Sequence, residues 1–404
     1  MRILISAGEA SGEMYGAQLM QALEARMATG DSGTFGGRAD AEITFFGAGG
    51  ERMRAAGCEI VVDAKDLAVV GITEIVGHLP KILGLYKKLL RAADERRPDL
   101  AVMIDAPAFN WRVARQMRKR GIPVVYYVCP QFWAWRQGRV KLLRKYVDKA
   151  LVIFPFEEKF YGDRGVDATF VGHPLADLPA PSVTREAYAA EFGLDAAKPW
   201  ITLMPGSRRK EVRMILPTML EAVRQLGSAY EFVLPVARTL EAAFVKTLIE
   251  AQESAMDGRG KREGPRIRLV PDALPALYHA RAAIVASGTA TVEAAIMGTP
   301  FTMVYRVSPL TYALGKPRVK VPYYAMVNLI AGEQVVPELV QDKFTAGNVV
   351  AEMQRILPDG EARTRMIAGL VRVKARLKQG SDGGHPSEKA AGIIGEMLGQ
   401  IRRG

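Results

Sequence analysis

The sequence predicts an α/β protein with two domains, each built on a parallel sheet that helices cover on both faces. Short apolar, β-branched runs alternate with helix-length segments, which is the pattern of βαβ units. The alternation occurs twice, on either side of a segment at 176–182 that holds two prolines. A chain of 404 residues also suits two or three domains. We therefore expect two similar Rossmann-like domains that face a central cleft.

The predicted elements follow the chain in order. Strands are predicted at 2–7, 43–47, 100–104, 123–128, 150–154 and 168–171 in the first series, and at 200–204, 231–235, 267–270, 283–286 and 300–304 in the second. Helices are predicted at 16–27, 111–120, 211–227 and 289–297, and Thr184 fits an N-cap after the linker. These elements define an N-terminal domain at 1–178 and a C-terminal domain at 184–380. A final helix within 386–404 has apolar residues at helical spacing and can dock on the N-terminal domain.

Composition and charge exclude several classes of protein. With 49% hydrophobic and 24% charged residues, the chain is neither disordered nor fibrous. Cys58 and Cys129 lie far apart without a partner motif, and the four histidines have no zinc spacing, so we expect no metal and no disulfide scaffold. No run of 18 apolar residues could span a bilayer, and the first residues are too short for a secretory signal. The net charge of +12 indicates an anionic partner, whether nucleic acid, phosphorylated substrate or lipid headgroup.

The first strand-to-helix connection is rich in glycine. Gly8, Gly12 and Gly16 recur every four residues, unlike the dinucleotide fingerprint or a P-loop. Such a connection lets an anionic ligand approach a helix N-terminus. A tight turn explains the glycines equally well.

Asp105 directly follows the apolar strand predicted at 100–104. The carboxyl ends of strands face the ligand crevice in open α/β sheets, where an acid can take a proton from an attacking hydroxyl. A helix N-cap is the alternative role, and by residue preference alone it is the more common one.

Two segments of the second domain are typical of phosphate binding. Residues 205–211 (PGSRRKE) offer backbone donors, the Ser207 hydroxyl and the Arg208 guanidinium, a set that suits a diphosphate. Residues 287–295 (SGTATVEAA) begin a helix on which a phosphate could rest while Glu293 accepts hydrogen bonds from ribose hydroxyls. The alternatives are a solvated basic surface for the first segment, and for the second a capped helix whose Glu293 faces solvent.

Two further segments are candidates for surface contacts. Residues 66–92 carry a helical apolar stripe beside lysines, which indicates either core packing or an interfacial membrane contact. Residues 136–149 hold six basic residues against one acid, next to Trp133 and Trp135. That combination suits nucleic acid, anionic lipid or a solvated helix face.

Taken together, these motifs resemble the lipid-A-disaccharide synthase family. The matching segments occur in one order: AGEASGE at 7–13, IDAP at 104–107, WAWRQ at 133–137, FPFE at 154–157, FVGHPLAD at 170–177, LMPGSR at 203–208, SGTA at 287–290 and VNLIAG at 327–332. The resemblance extends from Ile3 to Gln341, and the joint match is far more specific than any single motif.

The resemblance implies a GT-B fold and a reaction. The family transfers 2,3-diacylglucosamine from UDP to the 6-hydroxyl of 2,3-diacylglucosamine 1-phosphate, which forms a β-1′,6-linked disaccharide with inversion and without a bound metal or other cofactor. The implied location is the cytoplasmic face of the inner membrane, as a peripheral protein on an anionic surface, compatible with a homodimer and without nucleic acid. Another GT-B UDP-sugar enzyme, such as a soluble epimerase or glycosyltransferase, is the alternative activity, and a nucleic-acid-binding protein is a third class.

The resemblance also implies roles for individual residues. Asp105 matches the general base and Arg208 the essential arginine. The implied donor-binding residues are Gly8, Glu9, Ser11, Gly12, Ser207, Ser287, Gly288, Thr289, Glu293 and Asn328, and the implied acyl-chain and membrane contacts are Ile72, Ile75, Val76, Leu79, Leu83 and Met214. Two positions depart from the family: Ala108 stands where a second Asp is frequent, and Glu13 stands where Asp is common.

Overall fold

A computed structural model describes residues 1–8, 10–29, 42–68, 75–257, 264–381 and 383–401. The chain divides into two compact units, Met1–Pro174 with Leu377–Gly404 and Leu175–Arg376. Glu9 and Ile72, predicted to contact ligand or membrane, lie outside the described residues.

The first unit contains a parallel sheet of seven strands in the order β3-β2-β1-β4-β5-β6-β7. Its strands are β1 (Arg2–Ala7), β2 (Thr44–Gly49), β3 (Cys58–Asp63), β4 (Leu100–Ile104), β5 (Val124–Tyr127), β6 (Lys149–Val152) and β7 (Ala168–Phe170). Its helices before the second unit are α1 (Ala10–Ala28), α2 (Glu51–Ala55), α3 (Ala64–Ala68), α4 (Ile75–Arg96), α5 (Pro107–Lys119), α6 (Phe132–Trp135), α7 (Val140–Tyr146) and α8 (Pro155–Gly162).

The second unit repeats this plan with six parallel strands in the order β10-β9-β8-β11-β12-β13. Its strands are β8 (Trp200–Met204), β9 (Glu231–Pro235), β10 (Ile267–Val270), β11 (Ala282–Ala286), β12 (Phe301–Tyr305) and β13 (Glu338–Val340). Its helices are α9 (Arg185–Phe192), α10 (Arg209–Leu226), α11 (Ala242–Asp257), α12 (Ala273–Tyr278), α13 (Thr289–Met297), α14 (Pro309–Gly315), α15 (Met326–Ala331), α16 (Ala346–Ile356) and α17 (Glu361–Lys378). A last helix, α18 (Pro386–Ile401), returns to the first unit and packs on α1.

The predicted fold class of two parallel-sheet α/β domains is confirmed. Strands β1, β4, β8, β9 and β10 have the predicted bounds, because each is an apolar run that ends at a polar, proline or glycine signal. The Thr184 cap is also confirmed, since its side chain accepts from the Ala187 N–H at the start of α9. Two strands were not predicted: β3 is an edge strand with an exposed Glu59, and β13 has only three residues.

The strand order places a topological switch point in each sheet. The order 3-2-1-4-5-6 is that of the doubly wound dinucleotide-binding fold, in which ligands bind beyond the carboxyl ends of strands 1 and 4. In the first unit these strands are β1 and β4, where Ala7 pairs with Ile104. In the second they are β8 and β11, where Val285 pairs with Met204. Each switch point therefore joins two segments that the sequence analysis singled out.

Candidate functional sites at the two switch points

At the first switch point, the chain leaving β1 touches the chain leaving β4. A Cβ atom placed on Gly8 would lie 2.6 Å from the Cβ of Ala106. Real side chains do not approach so closely, so the backbones meet here because residue 8 has no side chain. Gly8 thus has a packing role at the mouth of the predicted site.

The backbone of Asp105 and Ala106 is in an uncommon conformation. Both have φ near +45°, the left-handed region that costs a residue with a side chain of order 1–3 kcal/mol. Hydrogen bonds hold it in place: the Tyr126 hydroxyl donates to the Asp105 carbonyl at 2.7 Å, and the Asp105 N–H donates to the Tyr127 carbonyl at 3.2 Å. Strain that its surroundings enforce is frequent at functional sites.

Asp105 does not cap the following helix. The N-cap of α5 is Ala106, and no side chain accepts a hydrogen bond there. The capping role considered for Asp105 is therefore wrong. Asp105 directly follows β4 and is only partly buried.

Asn110 organises this site, and the sequence analysis did not identify it. It is fully buried, accepts from the Ser6 hydroxyl at 2.7 Å, and donates to the carbonyls of Ser6, Ile104 and Asp105 at 2.9, 2.9 and 3.0 Å. One amide thus joins the ends of β1 and β4. The sequence contains a feature that could have identified it: Asn110 is the polar residue on the otherwise apolar face that α5 buries with Val113 and Met117.

The glycine-rich connection is shorter than predicted. Helix α1 begins at Ala10, so Ser11 and Gly12 are helical, and only Gly8 and the undescribed Glu9 lie between β1 and α1. Within the helix, Gly16 allows close packing against α2, since a Cβ there would lie 2.9 Å from the Met53 sulfur. Ser11 is exposed. Glu13 accepts from the Arg52 N–H at 2.5 Å and so satisfies the start of α2.

At the second switch point, Arg208 begins helix α10. It is the N-cap residue, its side chain is exposed, and its guanidinium lies 2.9 Å from the Glu211 carboxylate. Such an exposed pair contributes little to stability, so an anion can compete for the arginine. The neighbouring Ser207 is exposed, and its carbonyl accepts from the Thr239 hydroxyl at 2.6 Å.

Gly288 and Thr289 begin helix α13, which follows β11. Strand β11 pairs with β8, the strand that precedes Arg208. Gly288 has φ of 141° and ψ of −162°, a region essentially reserved for glycine, so no other residue fits this turn. The Ser287 hydroxyl donates to the Tyr324 carbonyl at 2.8 Å, and the exposed Thr289 is the first helical residue. No side chain caps the helix. Its first N–H groups thus form the kind of terminus that binds phosphate.

Glu293 lies one turn inside α13 and is largely buried. Burial raises the pKa of its carboxyl. Among the described residues, none donates a hydrogen bond to it or pairs with it. Glu293 is intermediate in exposure, neither fully solvent-facing nor part of the core. A buried carboxylate without a protein donor is suited to accept hydrogen bonds from a ligand.

Asn328 has a different place from the one implied by the resemblance. It is fully buried; its amide donates to the Val336 carbonyl and Glu338, and its oxygen accepts from the N–H groups of Val335 and Val336. All of its hydrogen-bonding capacity is used within the chain, which leaves none for the donor.

Glu338, missed in the sequence, links this asparagine to the α13 terminus. Its carboxylate accepts from the N–H groups of Tyr324 and Ala325 at 2.9 to 3.0 Å as well as from Asn328 at 2.8 Å. The Tyr324 carbonyl is the partner of Ser287. Asn328 and Glu338 therefore position the Ser287 segment.

The predicted apolar contact surface is described only in part. Leu83 on α4 is 48% exposed and Met214 on α10 is partly exposed. The side chains of Ile75, Val76 and Leu79 lie outside the described ones, although their backbone is helical. No helix within the described ranges is long and apolar enough to cross a membrane.

The two tryptophans beside the basic segment differ in burial. Trp133 is buried, and its indole N–H donates to Glu157 at 2.8 Å. Trp135 is exposed, with the Arg136 guanidinium 3.8 Å from its ring centroid. Trp133 is thus a core residue, whereas Trp135 and Arg136 belong to the surface.

Two parallel-sheet α/β units in one chain, each with a topological switch point, are the architecture of the GT-B fold. Solved structures agree on the fold. UDP-GlcNAc 2-epimerase from Neisseria meningitidis, bound to UDP-GlcNAc, matches with a TM-score of 0.59 at 12% identity over 98% of this chain and 99% of that one. The calicheamicin glycosyltransferase CalG4 matches with a TM-score of 0.57 at 17% identity over 99% and 98%. At such identities the likeness concerns the fold alone.

Sequence comparison identifies the family. The model of the lipid-A-disaccharide synthetase family matches residues 3–381. Proteins named lipid-A-disaccharide synthase are 52% identical in Koribacter versatilis, over 97% of both chains, and 50% identical in Acidobacterium capsulatum, over 98% of this chain and 96% of that one. The chain belongs to the lipid-A-disaccharide synthetase family, which confirms the resemblance.

Proposed function

We propose that the chain transfers 2,3-diacylglucosamine from UDP to the 6-hydroxyl of 2,3-diacylglucosamine 1-phosphate, with release of UDP and formation of a β-1′,6 linkage. The observation that carries this proposal is the family match over residues 3–381, together with full-length relatives at 50 to 52% identity. The attacking hydroxyl oxygen bonds to the anomeric carbon, the bond from that carbon to UDP breaks, and the hydroxyl proton passes to a base. A single displacement of this kind inverts the anomeric configuration.

Asp105 is the base in this proposal. Asp105 stands at the carboxyl end of β4, and three groups hold its backbone by hydrogen bonds: the Tyr126 hydroxyl, the Tyr127 carbonyl and the Asn110 amide. A base must lie within hydrogen-bond reach of the proton it takes, so a backbone with little freedom favours transfer. Ala108 stands where the family often has a second acid, and the proposal assigns the base to Asp105 because of its position at the end of β4.

The second unit binds the UDP donor in this proposal. The N-terminus of α13 at Gly288 and Thr289 receives a phosphate, and Arg208 neutralises charge that develops on the departing diphosphate. The carboxylate of Glu293 accepts hydrogen bonds from the vicinal ribose hydroxyls. Support for this role comes from its burial without a protein donor, since two hydroxyls would supply what the protein does not.

Both substrates carry acyl chains, so the protein is proposed to work as a peripheral protein on the cytoplasmic face of the inner membrane. Leu83 and Met214 offer apolar surface for chains or lipid. The net charge of +12 favours an anionic bilayer.

The test is product formation. The purified chain is incubated with UDP-2,3-diacylglucosamine and 2,3-diacylglucosamine 1-phosphate, and mass spectrometry looks for the tetra-acyl disaccharide phosphate. Asp105→Ala should lower kcat by about 10² to 10⁴. Asp163→Ala, which removes an exposed surface carboxylate in the same unit, is the matched control and should keep the wild-type rate. Absence of the disaccharide from wild type would reject the reaction, and a normal rate in Asp105→Ala would reject the base.

A further inference from the structure

Helix α14 presents two leucines to solvent. Leu310 is 71% exposed and Leu314 is 57% exposed, and Leu310 is the most exposed large hydrophobic side chain among the described residues. Residues four apart lie on the same face of a helix. Single exposed leucines are ordinary, but an adjacent pair on a short helix forms a patch that indicates a contact.

The chain around this helix is basic. From 305 to 332 it contains no Asp or Glu, while Lys316, Arg318 and Lys320 follow the helix. Lys316 and Lys320 are exposed, and the Lys316 ammonium lies 5.6 Å from the ring centroid of Tyr312. Exposed leucines next to lysines and a tyrosine are the composition of segments that lie in a membrane interface. The absence of acids in the segment favours anionic headgroups over a basic partner.

The helix is connected to the Ser287 segment. Tyr312 on α14 lies within electrostatic reach of Tyr324: burial first, and then the neighbouring Tyr312 hydroxyl, raise the pKa of Tyr324. The backbone carbonyl of Tyr324 in turn accepts from the Ser287 hydroxyl. The exposed leucines therefore belong to the same connected part of the second unit as the phosphate-binding terminus of α13.

We propose that α14 is a membrane-contact element, in which Leu310 and Leu314 enter the interface of an anionic bilayer while Lys316 and Lys320 bind lipid phosphates. The proposed element is a different helix from those that carry Leu83 (α4) and Met214 (α10). The binding does not depend on the proposed function. The role of this binding in the reaction does depend on the proposed function: a membrane contact connected to the α13 terminus would hold the second unit at the bilayer in which an acylated donor resides.

The test is flotation with phosphatidylcholine vesicles, with and without phosphatidylglycerol, and without any substrate. The double variant Leu310→Glu/Leu314→Glu should bind phosphatidylglycerol vesicles at least about tenfold more weakly than wild type. Val371→Glu is the matched control, because Val371 is 61% exposed on another helix of the same unit, and it should bind as wild type does. Lys316→Gln and Lys320→Gln should each weaken binding about fivefold at low salt, and this difference should shrink at high salt.

Several results would overturn the proposal. Unchanged flotation of the leucine variant would do so, as would a wild type that binds neither vesicle. If the leucine variant loses self-association in gel filtration while flotation is unchanged, the patch is an interface between copies of the chain instead. Thermal unfolding checks that the leucine variant is folded, and the two lysine variants, which alter only exposed side chains, test the proposal independently. The two proposals can fail separately. If the wild-type protein makes the disaccharide in detergent but does not float with vesicles, only the membrane contact of α14 is rejected. If it floats with vesicles but makes no disaccharide, only the proposed function is rejected.

Discussion

Asn110 offers the sharpest test of how the first switch point is built. Asn110→Ala removes four hydrogen-bonding contacts, one from the Ser6 hydroxyl and three in which the two amide N–H groups are shared among the carbonyls of Ser6, Ile104 and Asp105. At about 1 kcal/mol for each of the three bonding protons, their loss lowers the free energy of unfolding by about 3 kcal/mol. A domain with about 5–15 kcal/mol of stability remains folded after such a change.

The effect on activity should exceed the effect on stability. Without Asn110, the left-handed backbone of Asp105 and Ala106 loses a support and can relax its strain. A displacement of the base by about 1 Å is enough to lower kcat about 10²-fold. We expect this fall in kcat per folded molecule, with little change in the donor KM.

The assay combines urea unfolding with initial rates of product formation over a range of donor concentrations, corrected for the folded fraction, so that kcat and KM are separated. Asn328→Ala is the matched control, because Asn328 is equally buried and also makes four hydrogen bonds, but in the second unit. It should cost similar stability and change the response to UDP-sugar concentration instead. Ser6→Ala, which removes one of the four bonds at Asn110, should cost about 1 kcal/mol and serves if Asn110→Ala does not fold. The reasoning is refuted if Asn110→Ala loses stability but keeps kcat within about twofold of wild type.

Two further predictions concern other parts of the first unit. Burial raises the pKa of the Glu157 carboxyl from 4.5 to about 7 in the folded protein. Between these two pH values the unfolded chain ionises at this carboxyl while the folded chain keeps it protonated. The free energy of unfolding should therefore fall by about 3 kcal/mol as the pH rises from below 4.5 to above 7. Glu157→Gln should remove this fall. Urea unfolding at pH 5 and pH 8, followed by tryptophan fluorescence to which the neighbouring Trp133 contributes, measures it. If the free energies of unfolding of wild type and variant differ by the same amount at both pH values, the prediction is contradicted. Gly8→Ala should cost about 1–3 kcal/mol through its contact with Ala106, and adding Ala106→Gly should restore most of the loss. Simple additivity of the two changes would show that the contact does not limit packing.

Local sequence determined much of the architecture. Strands such as β4 and β11 are buried along their whole length, so continuous apolar runs identified them without knowledge of their neighbours. The same holds for α13, which has a glycine at each end: Gly288 precedes the helix, and Gly298 adopts the left-handed conformation that ends it. The motifs that follow β1, β4, β8 and β11 lie at the two switch points, because a parallel sheet brings all of its carboxyl ends to one edge.

Only the tertiary structure decided which side chains organise the two switch points. Ser6 and Asn110 are 104 residues apart, and no local pattern predicts that they share a hydrogen bond. Asn328 was implied as a ligand contact, but its neighbours Val335, Val336 and Glu338 use every donor and acceptor it has. Residue type and spacing report whether a position is buried and in which element it lies. The partner of a buried polar group depends on how distant segments meet, and that is a property of the folded chain.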